Sequence, residues 1–168
     1  MTTIGALVER LRKEHGEAGS RQPAGDVPQT VFRFAPGIPA AAQEGLRKRY
    51  PAELVDLWSA TSEAELFLDP EFGQWGLKLY SPETAEQETR DIRHHEELEL
   101  APDDLVIGAF VGDAEVLVVR NAPGGRDRGK VVIGLPIDPR EDWPVVADDV
   151  AAFLERYVSA QGEKYWEN

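Results

Sequence analysis

The sequence predicts an α+β domain with a mostly antiparallel sheet of about five to six strands covered by helices. Three observations carry this expectation: amphipathic helical segments open and close the chain; five or six apolar segments of strand character lie between them; and strands do not alternate regularly with crossover helices. The last point disfavours a parallel nucleotide-binding sheet. At 168 residues, 42% of them hydrophobic, the chain has room for one ordinary domain with its own core.

The elements follow in order. "IGALVERLRKEH" places Ile4, Leu7, Val8 and Leu11 on one helical face. "GEAGSRQPAGDVPQ", residues 16–29, is rich in Gly, Pro and small polar residues without periodicity and reads as a linker. Residues 1–29 are therefore expected to be an N-terminal helix and loop, and residues 30–168 the α+β domain. "TVFRF" suits a short strand, and "PAAAQEGLRKRY" a helix whose basic last turn complements the dipole. Pro51 breaks that helix and starts another, "PAELVDLWSAT", with Leu54, Leu57 and Trp58 facing inward. "AELFLD" and "WGLKLYS" then alternate as half-buried strands do, with Trp75, Leu77 and Leu79 on one face. Ser81 caps a helix that has Pro82 at its first position. Three β-branched runs, "DDLVIGAFVG", "AEVLVVRN" and "GKVVIGLP", are joined by hairpin signals and predict a meander. A final helix, capped by Asp148 or Asp149, sets Val150, Phe153, Leu154, Tyr157 and Val158 on one face.

Composition narrows function. The absence of cysteine excludes disulfides, thiolate metal sites and cysteine nucleophiles. No apolar run reaches the ~20 residues that cross a bilayer, and the N-terminus is too polar for a signal peptide, so the cytoplasm is the expected location. A net charge of −13 repels phosphate backbones and anionic lipid, so neither nucleic acid nor membrane is an expected partner.

No motif for covalent catalysis, phosphate-loop binding or dinucleotide binding is present, and no cofactor or metal is expected. His94 and His95 point about 100° apart on a helix and do not converge on one ion. "PGGRDRG" has the glycines and arginines of an anion cradle, but flanking apolar runs and the absence of a following helix favour a hairpin tip. Trp75 and Trp143 beside turns suit either edge packing or partner contact.

Charge is distributed unevenly. Residues 83–104 hold nine carboxylates against Arg90 and Arg93, and residues 138–155 hold six against Arg140. Clustering of this kind suits a surface that meets a basic partner.

From about residue 36 to 166 the chain resembles the SUKH superfamily, the immunity-protein fold shared with fungal regulators of cell-wall glucan synthesis. The resemblance rests on "YPAELVDLWSAT", "WGLKLYSPETAEQE", "DDLVIGAFVGDAEVLVV" and "GKVVIGLPIDPREDWPVVADDVAAFLERYV". It implies a non-catalytic immunity protein that binds and neutralises a cognate polymorphic toxin domain, often a nuclease, whose basic cleft an acidic surface can occupy. The expected contact residues are Glu83, Glu86, Asp91, Glu96, Glu97, Glu99, Asp103 and Asp104. Two alternatives stay open: a regulatory protein-binding scaffold of the same fold in envelope or signalling assemblies, and a hydrolase with a buried carboxyl of raised pKa. The sequence leaves the oligomeric state open.

Overall fold

A computed structural model describes residues 3–15 and 30–168; the reading of residues 16–29 as a linker falls outside them. The described residues form helices α1 (Ile4–His15), α2 (Ala40–Arg47), α3 (Ala52–Ala60), α4 (Pro82–His94) and α5 (Val150–Ser159). The strands are β1 (Val31–Phe34), β2 (Ala64–Leu68), β3 (Leu77–Leu79), β4 (Leu105–Phe110), β5 (Val116–Val119), β6 (Val131–Gly134) and β7 (Val145–Ala147). The class is the expected α+β, with a seven-stranded open sheet in the order β1-β2-β3-β4-β5-β6-β7 and every neighbouring pair antiparallel.

The unbroken apolar runs of β4, β5 and β6 are explained by burial on both faces. Leu105, Ile107, Leu117, Val119, Val131 and Ile133 enter the main core, while the alternating Val106, Val118 and Val132 enter a second core on the opposite face. The main core is completed by Leu7, Val8 and Leu11 of α1, Leu54 and Trp58 of α3, and Phe153, Leu154 and Tyr157 of α5. Ile92 of α4, Leu98 and Trp143 cover the other face. The result is a sheet between two helical layers.

Local signals place the helices. Ser81 Oγ accepts the Thr84 N–H of α4 at 3.2 Å, and Asp149 Oδ1 accepts the Ala152 N–H of α5 at 2.8 Å. Inside α4, buried Thr89 accepts the Val106 N–H at 2.9 Å, at a register shift of β4, and so ties the helix to the sheet. Arg12 of α1 donates to the carbonyls of Ala35 and Ala60, fastening the first helix at the C-terminal end of α3.

Gly108 and Gly112 are among the glycines that geometry requires. A Cβ on Gly108 would lie 2.5 Å from the Lys78 carbonyl oxygen of the paired strand, and Gly112 turns the β4–β5 hairpin at φ +81°. Trp75 departs from its expected place. Gly76, at φ +125°, interrupts the pleat before β3, which leaves Trp75 in the preceding turn and 41% exposed. Trp143 is a packing residue, 3% exposed, with its indole N–H shared between the Leu135 and Asp138 carbonyls.

The C-terminal segment closes the fold with a charged latch. Lys164 Nζ lies 2.5 Å from Asp113 and 3.0 Å from Glu115. The hydrogen bond from Lys164 holds Asp113 below its ordinary value, whereas burial pushes Glu115 up. Burial opposes the charge of Lys164, but the hydrogen bonds to both carboxylates outweigh it and raise its pKa. Asp113, depressed in the folded state, supplies stability above the ordinary carboxylate range that is lost as pH falls through its folded value; Glu115 works in the opposite sense. Lys164→Met is therefore expected to destabilise the protein at pH 7, with a deficit that shrinks as pH falls below the ordinary carboxylate range toward about pH 2, as the depressed Asp113 takes up its proton. Urea unfolding of both forms at the two pH values checks this; a deficit unchanged between them would locate the role of Lys164 in its packing on Phe110, 5.4 Å from the ring centroid.

Candidate functional site

The turn after α4 builds an acidic edge. Glu96 takes the left-handed conformation, at φ +54°, and the Glu96 and Glu97 N–H groups return to the carbonyls of Arg93 and Ile92. This is a Schellman ending with Glu where Gly is usual. It drives Leu98 into the second core and leaves Glu96, Glu97 and Glu99 exposed on either side of it.

The start of the second acidic stretch, Asp138, comes to the same place. Glu96, Glu97, Leu98 and Glu99 form one wall of a shallow groove of about 400 Å³, and Pro136, Ile137, Asp138 and Pro139 form the other. The Glu99 carboxylate accepts the Arg140 N–H at 2.6 Å across the junction, and Trp143 holds the facing loop from beneath. Exposed Glu141 and Asp142 follow in a short 3-10 turn, Arg140–Asp142. Ile137, in the wall facing Glu96, Glu97 and Glu99, is 90% exposed.

Other residues expected at the partner surface are placed differently. Asp104 is corrected to an interior residue: it is buried, takes a two-pronged contact from Arg140 at 2.7 and 2.9 Å, and accepts the Ala101 N–H at 2.8 Å. Glu86 is also committed internally. It binds Arg49 and accepts the Tyr50 hydroxyl at 2.6 Å. Burial, and then the Glu86 contact, push Tyr50 up to about 12. Glu83 and Asp91 are exposed on α4 but line neither this groove nor a second cleft, whereas Asp103 belongs to that second cleft.

The second cleft, about 670 Å³, has the opposite sign to the molecule as a whole. Arg47 at the end of α2, Lys48 and Arg49 just after it, Arg90 and Arg93 of α4, and Arg128 of the β5–β6 hairpin line it. The "PGGRDRG" segment is thus the expected hairpin loop, and it also brings a guanidinium to a basic wall. Sequence reasoning missed the cleft because its cations come from three separated segments.

Among the described residues no three His, Cys, Asp or Glu side chains are grouped to hold a metal ion. His94 and His95 pack edge to face, with centroids 5.0 Å apart. Glu115, whose pKa burial raises, faces Lys164 and does not line the neighbouring 100 Å³ cavity formed by Trp75, Phe110 and Tyr157. No described helix is long and apolar enough to cross a membrane. Neither a protein-family model nor a curated protein matches the chain.

Proposed function

We propose that this protein is a non-catalytic immunity protein that neutralises a cognate, basic toxin domain, using the groove between residues 96–99 and 136–139 as its contact surface. The observation that carries the reading is the meeting of Glu96, Glu97 and Glu99 with Asp138 along one groove that also holds Ile137, which is 90% exposed. An exposed aliphatic side chain sharing a groove with four carboxylates has the parts of a recognition surface: an apolar anchor and charges that steer and orient a positive partner. The resemblance to the SUKH superfamily supports the same reading. A nuclease toxin presents the basic cleft such a surface fits.

The test is low-salt affinity purification of the tagged protein from its source cells, followed by titration of the recovered partner. Glu96→Lys/Glu97→Lys/Asp138→Lys is expected to weaken binding by about 100-fold or more, mainly through slower association, and Ile137→Ala by about tenfold. Reversing Glu83 and Asp91 instead should leave affinity nearly unchanged. Equal binding by the triple variant would remove the groove from the interface, and recovery of a neutral envelope or signalling protein would assign the fold to the regulatory scaffold class.

A further inference from the structure

The basic cleft is not used by this reading and has its own chemistry. Of the three carboxylates on its wall, Glu86 is taken up by Arg49 and Tyr50 and Asp104 by Arg140, which stands outside the cleft, while exposed Asp103 is in no ion pair among the described residues and leaves the six lining cations in excess. Arg93 is held rigidly by the carbonyls of Ala101, Pro102 and Asp104, and its enclosed Nε has no protein partner among the described residues. Among the described residues, Arg90 and Arg128 are exposed and face no carboxylate at ion-pair distance, and Lys48 reaches Glu44 alone, at 4.0 Å. A concave wall therefore keeps several cations unneutralised inside a chain of net charge −13.

We propose that this cleft binds a compact polyphosphate group, the triphosphate of a nucleotide or a short inorganic polyphosphate, through Lys48, Arg90 and Arg128. Guanidinium forks match phosphate oxygens in pairs, and low-dielectric walls concentrate the field of the lining cations. Size and surroundings select a small ligand. A volume of about 670 Å³ lies in the range of small-molecule sites, whereas a long polyanion would extend beyond the cleft over a chain of net charge −13.

Calorimetric titration of the full chain with inorganic tripolyphosphate at low salt tests the proposal. One-to-one binding is expected, weakening as salt rises and about tenfold or more weaker in Arg90→Ala/Arg128→Ala. Arg33→Ala, which removes a charge outside the cleft, should leave it unchanged. ATP binding at the affinity of tripolyphosphate would show that the triphosphate alone is read, and tighter ATP binding that the nucleoside adds contacts; both support the proposal. It is overturned if tripolyphosphate produces no binding, if the folded double variant binds as the natural chain does, or if an octaglutamate peptide competes equally well, which would make the cleft a site for acidic peptides.

Discussion

Replacing Arg140 with alanine is expected to lower the free energy of unfolding by about 3 kcal/mol. Asp104, whose side chain is 3% exposed, has both oxygens engaged: Oδ1 by Arg140 Nη2, and Oδ2 by Arg140 Nε and the Ala101 N–H. Removing the guanidinium leaves a buried carboxylate with a single backbone donor. Arg140 itself is 31% exposed, so water can reach the vacated site, which places the cost at the lower end of the range for broken buried pairs. The contact also joins the turn at residues 101–104 to the 3-10 turn that follows Pro139, so its loss should loosen one wall of the acidic groove. Urea unfolding checks the magnitude. Asp104→Asn/Arg140→Met, which removes both charges, should lose less than Arg140→Ala; a loss below about 1 kcal/mol in Arg140→Ala would mean that solvent replaces the guanidinium without penalty.

Trp58→Ala is expected to cost more, about 4 kcal/mol. The side chain is 1% exposed, packs edge to face on Tyr50 with centroids 5.4 Å apart, and donates its indole N–H to the Tyr80 carbonyl at 2.9 Å. Truncation combines lost apolar burial, a cavity between α3 and the sheet, and a carbonyl without its donor. Trp58→Phe separates these terms: it keeps most of the volume and loses the hydrogen bond, for an expected loss of about 1–2 kcal/mol. Denaturant unfolding followed by circular dichroism measures both. Equal losses in the two variants would assign the whole effect to the indole N–H.

What could be read from the sequence was what depends on neighbours in the chain. Ile4, Leu7, Val8 and Leu11 are all buried because a single helical period places them together. The Ser81 cap, which acts over three residues, was equally legible, and of Asp148 and Asp149 it is Asp149 that caps α5. β7 was not: its three residues, Val145–Ala147, are too few to show a period, and the strand exists because β6 offers it an edge. The contact surface divides in the same way. That Glu96, Glu97 and Glu99 are charged and clustered is local, but whether a carboxylate meets water or a guanidinium is decided elsewhere. Glu86 meets Arg49 across 37 residues and Asp104 meets Arg140 across 36. The basic cleft was hidden for the same reason, since a chain-wide sum of charge averages away a local inversion.

The strict β1-to-β7 order has a consequence for biosynthesis. Each strand finds its partner in the one made just before it, so the sheet can grow from one edge as the chain leaves the ribosome, with no strand waiting for a mate still to be translated. The helical cover does not follow that schedule. Phe153, Leu154 and Tyr157 of α5 belong to the same core as β2 through β6 but are made after all of them. A nascent chain stopped before α5 would carry an assembled sheet whose main-core face is covered by α1 and α3 but still lacks α5, and in the cell that interval is when the protein is most exposed to aggregation.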